Sequence, residues 1–272
     1  MPPNTAVQSG LNPAPPSQTG TSPTKPTILI VHGGYFLPSA WTPFISMLQT
    51  AGFDAVCPRL PTCGDVRPPT ATLADDVKAV RDVATELFQA GKRIIVLAHS
   101  YGGVPASEAI VPALYSSHGA SAGVIHLIYL SSWLIPKSHS VQTVLDKYGY
   151  LSHVDVDINE DGTAVAKNAP DAFYNDVLPR SRAEALAREN VTHNIMVVGG
   201  IVEGVPWMDV QSMYVVCERD EALLVRLQRG MVRDAQEAGG KVRVVTLESG
   251  HSPFLSRPDE LVGIVGKVAA GF

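Results

Sequence analysis

At 272 residues, with 45% hydrophobic and 17% charged residues, the chain has the size and surface of a globular protein with one large core. Its 21 basic residues against 26 acidic ones, a formal net charge of -5, form no basic cluster, which argues against nucleic acid or an anionic membrane as a partner. No apolar run approaches the ~20 residues that span a bilayer, and residues 1–26 lack the apolar core of a signal peptide, so a cytoplasmic protein is expected.

Residues 1–26 are rich in Pro, Ser, Thr and Gln without apolar period and read as a flexible tail. TILIV (27–31) reads as a first strand running into His32-Gly33-Gly34-Tyr35. A glycine pair at a strand end lets the backbone approach a ligand and point an N–H at it. His32 is expected to brace that turn. Trp41 to Ala51 reads as a helix with Trp41, Phe44, Ile45 and Leu48 on one face, 54–57 as a second strand, and 72 or 73 to 89 as a helix stopped by Gly91. Cys57, Cys63 and Cys217 have no metal-ligand spacing and are expected to be free thiols.

The stretch RIIVLAHSYGG (93–103) places an apolar strand directly before Ser100, with Gly102 and Gly103 behind it. A tight strand-to-helix turn has room only for small residues two positions either side of its apex, and Ala98 and Gly102 meet that need. The apex serine then stands beside a helix N-terminus able to stabilise an anion. The helix is expected to run to about Ala113, with Pro105 in its first turn.

VIHLIYL (124–130) reads as a fourth strand, with His126 a hydrogen-bonded core residue, and Ser131-Ser132-Trp133 follow without an acid. From 134 to 211 the alternation breaks down, and this segment is expected to be an inserted cap over the site. It includes a hairpin at 154–165 turning at Asp161-Gly162 and short helices at 170–174 and 181–190. Asp155, Asp157 and Asn159 have early calcium-loop spacing, yet the sixth and twelfth positions are Glu160 and Ala166, which argues against that reading. Tyr35, Trp133, Phe173 and Trp207, with Met208, are the candidates for lining an apolar substrate pocket. SMYVVC (212–217) is a fifth strand delivering Glu218-Arg219-Asp220-Glu221; a helix over 222–238, a strand over 242–247, Gly250-His251-Ser252 and a last helix over 258–270 complete the chain.

Six strands separated by helices predict a mostly parallel sheet, whose ligands gather at the strands' carboxyl ends. Ser100, an acid and His251 stand at three such ends in the order Ser, acid, His, with His251 as the base for Ser100. Asp220, Glu218 and Glu221 are neighbours that could each serve as the acid.

The elbow at Ser100 resembles the G-x-S-x-G nucleophile elbow of the α/β-hydrolase superfamily, with Ala98 in place of the first glycine. HGGYFLPSAW (32–41), PDAFYNDVLP (170–179), YVVCERDEAL (214–223) and GHSPFLSRPDEL (250–261) resemble the branch containing plant methyl-ester esterases, hydroxynitrile lyases and related microbial esterases. The resemblance spans about 26–272 and fades through the cap. It implies an α/β-hydrolase core at 27–133 and 212–272, a cap at 134–211 and a short sheet. It also implies Asp220 as the acid, the backbone amides of Gly34 and Tyr101 as the oxyanion hole, and neither metal nor cofactor. The expected activity is hydrolysis of a small, fairly apolar carboxylic ester or lactone through an acyl-enzyme. The branch's lyases place Lys after the catalytic His, whereas Ser252 follows His251 here, which weighs against a lyase. A cyclase using the triad as a base and a ligand-binding receptor of the same fold are the other readings. The substrate's identity and the oligomeric state are not legible.

Overall fold

The computed structural model describes residues 25–64, 66–116, 122–149 and 153–271, so nearly all of the expected tail lies outside the described residues. In chain order the elements are β1 (Thr27–Val31), α1 (Thr42–Thr50), β2 (Ala55–Val56), α2 (Leu73–Gln89), β3 (Arg93–His99), α3 (Gly103–Ala109) and β4 (Gly123–Leu130). Then come α4 (Val141–Tyr148), β5 (Val156–Ile158), β6 (Thr163–Ala166), α5 (Ala169–Ala172), α6 (Arg180–Ala187) and β7 (His193–Asn194). The chain returns with β8 (Ser212–Cys217), α7 (Val225–Glu237), β9 (Val242–Leu247), α8 (Pro253–Ser256) and α9 (Pro258–Ala269).

Six of the strands form one sheet in the order β2-β1-β3-β4-β8-β9, and every pairing in it is parallel. The continuous apolar runs of β1, β3 and β8 follow from burial on both faces, because each crossover lays a helix against the sheet. Alternate residues feed two cores. Leu29, Val31, Val96 and Val216 pack with Val80 and Ala84 of α2, Val104 of α3 and Leu227 of α7. Ile28, Ile30, Leu97 and Val215 pack with Phe44 and Leu48 of α1 and Leu261 and Val265 of α9. The period of two along each strand therefore partitions the side chains between the layers.

Helix α2 starts where the sequence indicates, because Thr72 and Asp75 form a capping box in which Asp75 Oδ2 accepts from the Thr72 amide at 2.7 Å. Helices α3 and α7 are shorter than expected, each for a local reason. Helix α3 ends at Ala109 rather than near Ala113, since Pro112 holds Val111 in an extended conformation. Helix α7 starts at Val225 rather than Ala222, because Leu224, at ψ 143, is non-helical and interrupts the path before it.

The expected hairpin forms as β5 and β6, with Gly162 at φ 83, and β7 extends it into a three-stranded antiparallel sheet. That small sheet is sewn to the core loops. The amide of Asn194 donates to Thr62 O at 3.0 Å, that of Gly64 to Thr192 O at 2.9 Å and that of Val191 to Tyr35 O at 3.0 Å. His126 is buried within β4 as expected, but its Nε2 has no hydrogen-bond partner among the described residues. The strand's backbone groups are engaged with β3 and β8, and burial lowers the ring's pKa to about 4. Cys57, Cys63 and Cys217 are free thiols. Among the described residues no helix is long and apolar enough to cross a membrane.

Candidate active site

Ser100 sits between β3 and α3 with φ 53, a left-handed conformation that costs a non-glycine residue strain and turns its side chain away from the sheet. The turn is clamped from behind: Ser100 O accepts from the Trp133 amide at 3.1 Å and from Ser132 Oγ at 2.9 Å. The two glycines after it answer to close packing. A Cβ on Gly102 would collide with Val31 O, and one on Gly103 would collide with Trp133 O. Ala98 needs no such exemption, because its methyl packs in the core as an ordinary strand residue.

His251 follows β9 on a loop packed closely enough that a Cβ on Gly250 would displace the Asn175 side-chain amide. Its Nδ1 lies 2.9 Å from Asp220 Oδ2, and both side chains are almost wholly buried. Asp220 is an acceptor saturated with donors. Oδ1 takes the amides of Ala222 and Leu223, while Oδ2 takes His251, Gln228 Nε2 at 3.1 Å and Ser131 Oγ in a very short contact. A carboxylate so placed fixes the proton of His251 on Nδ1 and leaves Nε2 without a proton, the tautomer a general base needs. Nε2 of His251 is buried and has no partner among the described residues.

The neighbouring acids are engaged elsewhere: Glu218 pairs with Arg229, and Glu221 lies 2.6 Å from His153 Nδ1. Asp220 is therefore the carboxylate that meets His251. Ser131, at φ 41 on the end of β4, also stands 3.3 Å from His251 Nδ1. In the sequence it reads only as a strand end without an acid, and its position at that end was the available signal. His99 underlies the pair: its Nε2 donates to His251 O at 2.9 Å and its ring centroid is 4.7 Å from that of His251. Burial first, then the neighbouring His251, pushes the pKa of His99 well down.

Gly34, Ser100, Tyr101 and His251 line one cavity of about 160 Å³. Tyr35, Trp133 and Phe173 line it as expected, with the ring of Phe173 5.7 Å from that of His251. Trp207 does not. It packs in the core below the sheet's amino edge, its carbonyl accepting from the Lys241 amide at 2.8 Å, because the chain must return there to start β8. Met208 travels with it, near Gly239. His32 braces the glycine turn as expected, its Nδ1 donating to Gly33 O at 2.8 Å and its Nε2 accepting from the Leu60 amide at 3.1 Å.

Two buried residues that the sequence did not single out bear on the cavity. Asp76, from α2, accepts from Tyr101 Oη at 2.8 Å, from Thr62 Oγ1 at 2.6 Å and from the Thr62 amide at 3.0 Å. Burial raises the Asp76 pKa, partly offset by those hydrogen bonds. His193, from β7, lines the cavity itself. Both lie within ordinary helical or irregular sequence, where only the fold reveals what they face.

Comparison with known proteins agrees with this architecture. The model of the alpha/beta hydrolase family matches residues 28–264. A probable hydrolase, R7, from Phoma sp. is 31% identical over 257 residues, covering 90% of this chain and 99% of its own. Among solved structures, tomato methylketone synthase I complexed with 2-tridecanone superposes with a TM-score of 0.72 at 19% identity, covering 90% of this chain and 98% of its own. Polyneuridine aldehyde esterase gives a TM-score of 0.71 at 16% identity, covering 90% and 99%. The parallel sheet, the serine elbow and these matches make the chain a hydrolase of the alpha/beta hydrolase family.

Proposed function

We propose that the protein is a serine hydrolase that cleaves a small, fairly apolar carboxylic ester or lactone through an acyl-enzyme. The observation that carries this reading is that Ser100, at its strained φ, and His251 line one cavity, while Asp220 holds Nδ1 of His251 at 2.9 Å. Ser100 Oγ attacks the carbonyl carbon as its proton passes to His251 Nε2. The resulting oxyanion takes hydrogen bonds from the amides of Gly34 and Tyr101. Collapse breaks the bond to the alkoxy oxygen, which leaves with the proton from His251. Water, deprotonated by the same Nε2, then attacks the acyl-enzyme and releases the acid and Ser100.

The segment 134–211 serves in this reading as the cap that closes the acyl pocket. Phe173, Val141, Leu145 and Ile195 supply apolar walls. A volume of about 160 Å³ suits a short acyl chain and is below the range usual for drug-sized ligands. The test is a panel of p-nitrophenyl esters of rising acyl length with one lactone, alongside fluorophosphonate labelling. Wild-type protein is expected to cleave the short esters and to be labelled, and Ser100→Ala to do neither while keeping its melting temperature. Full ester cleavage by folded Ser100→Ala would overturn the reading.

A further inference from the structure

Among the polar groups of the cavity that the hydrolytic steps above leave unused is the imidazole of His193. His193 is almost fully buried, and a Cβ placed on Gly34 would lie 2.7 Å from its Nδ1. Its ring centroid is 4.6 Å from that of Tyr101 and 5.4 Å from that of Tyr35. The imidazole therefore stands against the oxyanion glycine and beside the residue after the nucleophile. Its place is fixed rather than borne on a loose lid. His193 pairs with Ala164 of β6 and bridges to Cys63, and the residues on either side are hydrogen-bonded to Thr62 and Gly64.

Burial drives the pKa of this ring down to about 3, so it is neutral near pH 7, with one nitrogen a donor and the other an acceptor. Nε2 is buried and has no hydrogen-bond partner among the described residues. The surrounding cavity walls, Val156, Phe173, Ile195 and Trp133, are apolar or aromatic. A buried polar atom left unpaired is costly, and a site built this way favours a ligand that supplies the missing partner over one that lacks it.

We propose that His193 is a specificity-determining residue that hydrogen-bonds a hydroxyl on the acyl part of the substrate, close to the scissile carbonyl. The preferred substrates are then hydroxyacyl esters rather than unsubstituted ones, an inference that rests on the ester-hydrolase reading of the same cavity. A hydroxyl fits better than a charged group. It donates to or accepts from a neutral imidazole in either tautomer, whereas a carboxylate would lie among apolar walls with no cation to pair it.

The test separates this inference from hydrolysis by reading binding. Ser100→Ala protein is titrated calorimetrically with ethyl 3-hydroxyhexanoate and with ethyl hexanoate. The hydroxy ester is expected to bind about tenfold more tightly or better. Adding His193→Phe should bring the ratio close to one, and His193→Gln, which keeps a donor and an acceptor, should retain part of it. His193→Ala serves in place of the phenylalanine variant if that one does not fold. Equal affinities in the protein that keeps His193, or a preference that survives in full in folded His193→Phe or His193→Ala protein, would overturn the proposal. Turnover by wild type is measured separately. A His193-dependent binding ratio with no ester cleaved would leave the hydrogen bond from His193 to the ligand hydroxyl standing and remove the hydrolytic reading.

Discussion

Replacement of Asp220 by asparagine tests the assignment of the acid most severely, because the carboxylate accepts on both oxygens and an amide can accept on one. With its oxygen toward the amides of Ala222 and Leu223, the introduced side chain turns its NH₂ toward His251 Nδ1, Ser131 Oγ and Gln228 Nε2. The reverse orientation sets the NH₂ against two backbone donors that cannot turn, so the first prevails. Ser131 can rotate to accept. Gln228 cannot, since its Oε1 holds the Cys217 amide at 3.1 Å and its Nε2 also donates to Leu223 O at 2.6 Å. His251 can accept at Nδ1 only by moving its proton to Nε2, the atom that receives the proton of Ser100 in the proposed mechanism. The wrong tautomer costs about 10⁴ in kcat in hydrolases with this arrangement, or about 5 kcal/mol of barrier. The donor facing a donor at Gln228 adds a stability loss of about 2 kcal/mol. The assay is kcat/KM on the best p-nitrophenyl ester, with urea denaturation in parallel, for Asp220→Asn, Glu218→Gln and Glu221→Gln. The two glutamine variants lose only exposed ion pairs and should stay within about threefold of wild type. Asp220→Asn within tenfold of wild type, or Glu221→Gln equally impaired, would refute the assignment.

Three further outcomes are expected. His126 folds with its pKa lowered to about 4, so its contribution is complete above the unfolded value near 6.5 and is lost as pH falls toward 4. His126→Leu should therefore flatten the decline in stability between those limits by roughly 3 kcal/mol, read from urea midpoints across pH; an unchanged slope counts against it. Tyr101→Phe removes the hydroxyl that donates to buried Asp76 at 2.8 Å, and should cost about 2 kcal/mol of stability and lower kcat more than KM changes. Gly34→Ala drives a methyl into His193 at 2.7 Å, so its loss of activity should be partly relieved by His193→Ala in a double-mutant cycle, and strict additivity would contradict the contact.

The seam between the small sheet and the core shows how these residues depend on one another. Asp76 ties Tyr101 to Thr62, and Thr62 O accepts the amide of Asn194, next to His193. A continuous chain of hydrogen bonds thereby runs from α2 to the segment that forms the cavity wall. The same seam places Tyr35, whose carbonyl accepts the Val191 amide at 3.0 Å, against the β7 segment. Pocket shape and the glycine turn are consequently set together.

The chain by itself determined the parallel sheet, the Ser100 elbow and the strand ends that carry Gly34, Asp220 and His251. These are local matters: a buried strand needs a continuous apolar run, and a tight turn needs small residues at fixed offsets. It also limited the acid to three neighbours. The family resemblance already pointed to Asp220, and the tertiary structure adds the contact itself: Asp220 meets His251, while Glu218 and Glu221 turn to Arg229 and His153 through side-chain directions that no spacing encodes. It likewise moved Trp207 out of the pocket and brought Ser131, Asp76 and His193 toward it. What these have in common is long range: each meets partners many residues away, and a single polar or aromatic residue carries no periodic signal of which surface it will face once the layers pack.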